Sequence, residues 1–161
     1  MDKIWVLAET SGGQPTTTVL ELLTAARSLA GTIEVVSWGP DVAAASTAMG
    51  EYGATKVYDV GDLGESLPGP RVAAAIASLV GAGQGPEALL VPTSYDGRDI
   101  AGRLSVKLDR PVLTNVVGLS SDAGGLVSEH AIFGGAQSRD SRSAAGLRLM
   151  VSAPVPYARH D

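Results

Sequence analysis

Ile4-Trp5-Val6-Leu7-Ala8 is an unbroken apolar run. Continuity rather than alternation predicts a strand buried on both faces. The polar turn Glu9 to Pro15 follows, and then Val19, Leu22, Leu23, Ala26 and Leu29 recur at helical spacing. Thr18 and Glu21 have the spacing of a capping box, and Gly31 suits the C-terminal stop. Ile33 to Trp38 reads as a second strand. Asp41 is expected to cap a short helix through Met49, with Val42, Ala45 and Met49 inward. Lys56 to Val60 is a third strand, and residues 61–70 a Gly/Pro-rich loop. Val72, Ala75, Ile76, Leu79 and Val80 mark a third helix. Ala88 to Val91 is a fourth buried strand, and a fourth helix carries Ile100, Ala101, Leu104 and Leu108 inward. For that helix Asp96 is the expected N-cap, with Asp99 in the first turn.

Four strand–helix alternations predict an α/β fold. The form is a doubly wound, mainly parallel sheet in a Rossmann-like, adenine-nucleotide-hydrolase-like three-layer arrangement. Beyond Pro111 the pattern changes. Val112-Leu113, Val116-Val117, Leu126 to Phe133 and Leu147 to Val151 read as strands without intervening helices. Short links such as Asp122 to Gly125 favour antiparallel pairing at the C-terminal end. Ser138-Arg139-Asp140-Ser141-Arg142 reads as a loop or a solvated edge. No internal repeat or second unit stands out, so residues 1–161 are expected to form one α/β domain.

Composition narrows the chemistry. Of 161 residues none is cysteine, which removes disulfides, thiolate nucleophiles and zinc–thiolate sites. The two histidines, His130 and His160, are far apart, so no histidine metal cluster is expected. The net charge of −5 and the lack of a basic run argue against nucleic acid as a partner. No apolar run approaches the roughly 18 residues of a membrane span, and Met1-Asp2-Lys3 does not begin a secretory leader. A cytoplasmic protein, not membrane-embedded, is the expectation.

Two turns could hold a ligand. Gly12, Gly13 and Thr16 lie between a strand and a helix, where backbone amides can cradle a phosphate. The segment is neither a Walker loop nor Gly-x-Gly-x-x-Gly, and a capped strand–helix turn explains it. Ser94, Asp96, Gly97, Arg98 and Asp99 cluster beyond a strand's C-terminal end, where open α/β sheets bind ligands. Arg98 could grip a phosphate or carboxylate. Alternatively Arg98, Asp96 and Asp99 form a local network pinning the helix start. Gly81 to Pro86 is glycine-rich but follows a helix, which makes it a helix stop. No Gly-x-Ser-x-Gly elbow is present, and no catalytic residue is assigned.

The stretch Thr93 to Leu108, Thr-Ser-Tyr-Asp-Gly-Arg-Asp-Ile-Ala-Gly-Arg-Leu-Ser-Val-Lys-Leu, resembles Thr-x-x-Gly-Arg-Asp-Leu-Ala-x-Arg-Leu-Ala-x-x-Leu of the electron transfer flavoprotein alpha subunit. Val6-Leu7-Ala8-Glu9, Leu20 to Arg27, Tyr52 to Tyr58, Leu113 to Val116 and Ile132 to Gly135 resemble further family segments in order. The likeness spans nearly the whole chain. The tail departs: Ala136 replaces the usual Asn, and Ala153-Pro154-Val155-Pro156-Tyr157 replaces Arg-Pro-x-x-Phe.

The resemblance implies an electron carrier component or scaffold rather than an enzyme. Family members are heterodimers that take electrons from acyl-CoA or other dehydrogenases onto FAD. The resemblance covers only the alpha subunit's N-terminal domain, with the FAD domain outside it. It therefore implies a scaffold that docks a beta-type subunit and supports an FAD module, while this chain itself carries no cofactor. On this reading the chain is colourless. A stand-alone small nucleotide-binding α/β protein is the alternative. The apolar residues between Val112 and Val151 further suggest that the isolated chain self-associates as a twofold homodimer.

Overall fold

Strand β1, Lys3–Ala8, is buried along almost its whole length, and its residues divide between two cores. Ile4, Val6 and Ala8 point to one face of the sheet, Trp5 and Leu7 to the other. This division is why the run is continuous rather than alternating. The computed structural model describes residues 2–110, 112–122, 125–132, 137–142 and 148–152, and side chains for residues 2–110 and 112.

After β1 come β2 (Thr10–Ser11) and β3 (Gln14–Pro15), a small hairpin. Gly12 and Gly13 form its two-residue turn with φ of 60° and 80°. Two consecutive positive φ values match a primed hairpin turn, which Gly-Gly adopts without steric cost. The turn read as a simple strand–helix connection is therefore a paired hairpin. Helix α1 (Thr17–Arg27), β4 (Thr32–Ser37), α2 (Val42–Glu51), β5 (Ala54–Asp59), α3 (Pro68–Gly81), β6 (Ala88–Pro92) and α4 (Tyr95–Leu108) complete the alternation. Then β7 (Val112–Asp122), β8 (Gly125–Ile132), β9 (Gln137–Arg142) and β10 (Arg148–Ser152) follow.

Among the described residues eight strands share one sheet in the order β5-β4-β1-β6-β10-β7-β8-β9. From β5 to β7 every pair is parallel, and β7–β8 and β8–β9 are antiparallel. Helices α1 and α2 cover one face through Val19, Leu22, Leu23, Ala26, Ala45 and Met49. Helices α3 and α4 cover the other through Val72, Ala73, Ile76, Ile100, Ala101 and Leu104. The doubly wound α/β sheet with antiparallel strands at its C-terminal end is thus present.

Several local expectations are corrected. The cap of α1 is Thr16, whose hydroxyl accepts from Val19 N at 3.4 Å. Thr18 and Glu21 form no capping box, and Glu21 Oε2 is buried without a partner among the described residues. The helix stops at Arg27, capped by Ser28, three residues before Gly31. Asp41 occupies the cap position of α2 but makes no side-chain cap bond. The expected loop over residues 61–70 ends sooner, because Pro68 opens α3, where a missing N–H costs nothing.

The C-terminal third also differs. Val112-Leu113 and Val116-Val117 are one strand, not two. Residues 138–142 lie in β9, a strand at the sheet's outer margin, which is the edge and not the loop of the two expected readings. A margin strand has one side free of partners, and polar or charged residues are what such a strand tolerates. β10 does not pair antiparallel with its predecessor. It inserts between β6 and β7, parallel to both, with Leu149 opposite Leu89 and Val112. The apolar surface proposed to drive self-association lies outside the residues whose side chains are described.

Candidate functional site

From β1 the chain moves outward through α1 to β4 and through α2 to β5, then returns past β1 to β6. The winding direction therefore reverses between β1 and β6. In open α/β sheets ligands collect at the C-terminal ends of the strands flanking such a reversal. Here those ends carry Glu9, directly after β1, and Ser94, two residues after β6.

Ser94 is the N-cap of α4. Its hydroxyl accepts from Gly97 N at 3.1 Å and donates to Glu9 Oε1. Both functions of the hydroxyl are therefore engaged within the chain. Glu9 also joins the second helix start, since its carbonyl accepts from Thr16 N at 3.1 Å. On the neighbouring strand, Ser37 Oγ is buried and donates to Ala8 O at 2.8 Å. One acidic residue thus ties the end of β1 to the first turns of α1 and α4.

Gly97 makes this joint feasible. A Cβ there would overlap the carbonyl oxygen of Pro92 and come within 3.1 Å of Ser94 Oγ. Helix α4 can begin this close to the end of β6 only because that side chain is missing.

The candidate residues separate into two groups. Gly12 and Gly13 belong to the hairpin, which leans toward α2; a Cβ on Gly13 would stand 3.7 Å from that of Ala44. Ser94, Asp96, Gly97, Arg98 and Asp99 belong to α4, and Thr16 meets the Ser94 group only through Glu9. Asp96 is not the N-cap. It lies in the first turn of α4, where the dipole favours its carboxylate. Asp99 stands a turn later and pairs with Arg103 Nε at 3.1 Å, four residues on. A network of Arg98, Asp96 and Asp99 is not formed. The Arg98 side chain is exposed and makes no hydrogen bond or ion pair among the described residues. Arg98→Ala is consequently expected to change stability by less than about 0.5 kcal/mol, as at an ordinary surface position. Chemical denaturation checks this, and a loss above about 1 kcal/mol would restore a structural role for the guanidinium.

Glu9 was not among the sequence candidates. Its signal was a lone carboxylate at the end of a central, otherwise apolar strand, next to the first helix connection. A second polar cluster lies among β1, β4 and β5, with Trp5 and Glu34 buried and Lys56 exposed at its margin. Trp5 Nε1 donates to Glu34 Oε1 at 2.9 Å, and Lys3 Nζ lies 3.5 Å from the same oxygen. The indole and the Tyr58 ring are 5.2 Å apart, and Lys56 Nζ stands 4.6 Å above that ring. The Trp5–Glu34 bond joins two neighbouring strands within the core.

The profile of the family described as Electron transfer flavoprotein domain matches residues 4–153. The chain belongs to the electron transfer flavoprotein family. It is 33% identical over 141 residues to the electron transfer flavoprotein subunit alpha of Mycobacterium tuberculosis, covering 84% of this chain and 42% of that protein. The subunit alpha of Mycobacterium leprae is 32% identical over 140 residues, with the same coverage. That of Syntrophomonas wolfei is 29% identical over 133 residues, covering 81% of this chain and 41% of its own length. The chain therefore spans about two fifths of the length of the curated relatives it matches. No described helix is long and apolar enough to cross a membrane.

Proposed function

We propose that this electron transfer flavoprotein domain is an alpha-type scaffold. It docks a beta-type subunit and supports an FAD-bearing module in electron transfer from acyl-CoA or other dehydrogenases. It supplies position rather than reacting groups. The observation that carries this reading is the bond between Ser94 and Glu9 at the winding reversal. A ligand-binding relative of this architecture leaves that crevice and its helix N-terminus free for an anion. Here the Ser94 hydroxyl is engaged on both sides, and a carboxylate already stands beside the first turn of α4.

The described residues at this end do not fit a flavin pyrophosphate. Glu9 stands against Ser94 at the start of α4, and Asp96 adds a second carboxylate in the first turn of that helix, whereas desolvated like charges repel strongly. FAD accordingly belongs to the rest of the complex, and no electron-transfer step runs through these side chains. The same two carboxylates weigh against the alternative of a stand-alone nucleotide-binding protein.

Co-expression with a beta-type electron transfer flavoprotein subunit from the same source tests the docking role. The tagged 161-residue chain is expected to retain the partner at equal stoichiometry through affinity and size-exclusion steps. Elution of the two chains apart, with both folded, would contradict it.

A further inference from the structure

Asp96-Gly97 is the only Asp-Gly pair in the sequence. Such a pair carries a reaction of its own. The glycine nitrogen can attack the aspartate side-chain carbonyl carbon and close a succinimide ring. Glycine permits this because no side chain shields its nitrogen and its backbone turns freely.

Inside a helix the attack is normally prevented, because each N–H is held by the carbonyl four residues earlier. Gly97 has no such bond. With Ser94 as the N-cap, Gly97 is the third helical residue, and the first four N–H groups of a helix lack an intrahelical partner. Intrahelical bonding starts one residue later, from Arg98 N to Ser94 O at 2.9 Å. The Gly97 N–H is donated instead to Ser94 Oγ at 3.1 Å. Asp96 beside it is half-buried, and its carboxylate enters no ion pair among the described residues. The nucleophile is therefore held by one side-chain acceptor, and the electrophile is its chain neighbour.

We propose that Asp96-Gly97 is a latent isomerisation site whose reactivity is set by the Ser94 cap. While Ser94 Oγ holds the amide, the nitrogen is fixed in the first turn of α4. When the cap opens, Gly97 N bonds to Asp96 Cγ. The carboxyl C–O bond breaks, and the hydroxyl leaves with the amide proton as water. Water then adds back to the ring. Opening at the side-chain carbonyl restores aspartate. Opening at the Asp96 backbone carbonyl gives isoaspartate, in which the main chain runs through the former side chain. One water is released and one consumed, and nothing is oxidised or reduced.

The product carries an extra methylene in the main chain at the second residue of α4. That spacing takes Gly97 off Ser94 Oγ and away from the Pro92 carbonyl, against which it now packs. A slow covalent change at one peptide bond thus releases the start of α4 and the joint that Ser94 makes with Glu9. This chemistry does not depend on which partner the chain docks.

The test incubates the full chain in heavy-oxygen water at neutral pH, where each ring hydrolysis leaves one heavy oxygen in the peptide that contains Asp96. Mass spectrometry counts that label, and an isoaspartyl methyltransferase scores the isomer. Labelling is expected to be at least tenfold slower in the folded chain than in the same chain unfolded by urea. Ser94→Ala should raise the folded-state rate roughly fivefold, the shift in opening that loss of one cap bond gives. Ser94→Gly removes the acceptor at little cost to the helix and should also accelerate labelling, so the result does not hang on the alanine variant folding. Ser94→Thr keeps a hydroxyl at the cap and should leave the rate unchanged. Equal rates in folded and unfolded chain, no acceleration in the folded cap variants, or the same acceleration in Ser94→Thr would each overturn the proposal.

Discussion

Replacing Trp5 by alanine is expected to lower the unfolding free energy by about 3–5 kcal/mol, the usual loss for a large aromatic removed from a core. Trp5 is fully buried in the central strand, between β4 and β6, and packs with Leu7, Val36, Leu89 and helices α3 and α4. Its removal also takes the indole N–H from Glu34, a buried carboxylate whose other partner is Lys3 at 3.5 Å. Leaving a buried acceptor without its donor adds roughly 1–3 kcal/mol to the cavity term. A domain this size has only about 5–15 kcal/mol in total, so the variant stands near its unfolding threshold. Trp5→Phe separates the two contributions, since it keeps most of the ring volume and loses only the donor. Urea unfolding followed by far-UV circular dichroism measures both. A loss below about 1 kcal/mol for the alanine variant would contradict the packing described.

The second large effect is expected at Gly97. Alanine there sets a methyl group against the carbonyl of Pro92, which is backbone and cannot swing aside. Overpacking of this kind costs about 1–3 kcal/mol. Helix α4 must shift to relieve it, and the shift disturbs the Ser94 cap, a further ~1 kcal/mol. For a chain of this length each kcal/mol lowers Tm by roughly 2–4 °C. Gly102→Ala, in the same helix but with open space around its Cβ, is the internal control and should not destabilise. Equal Tm values for the two variants would show that α4 does not approach β6 as closely as described.

The parts legible in the sequence are those that burial alone decides. β1 and β6 are buried on both faces, so their unbroken apolar runs identified them. The inward residues of α1 and α4 follow from spacing, because one stripe of each helix meets the sheet. Caps were less legible. Around α4, Ser94 and Asp96 are both competent N-caps, and Ser94 prevails because its hydroxyl also reaches Glu9, 85 residues away in sequence. No local pattern contains that partner. The place of β10 was hidden for a related reason. Chain order suggested pairing with the preceding strand, whereas β10 fills the gap between β6 and β7 and completes the parallel layer. Polar residues 138–142 masked β9, since a strand at the sheet margin does not need the apolar alternation that marks an interior one. At the site, the polar cluster after β6 was found by its position, but Glu9, which connects it to the first helix, lay inside what read as an ordinary turn.

At the winding reversal, where this architecture usually receives a nucleotide, the chain's own groups form a joint. Calorimetric titration of the purified chain with AMP and ATP tests it most directly. No binding below millimolar concentration is expected, and none gained in Arg98→Ala. Micromolar binding to the wild-type chain, abolished by Ser94→Ala or Arg98→Ala, would contradict it and make the crevice a nucleotide site.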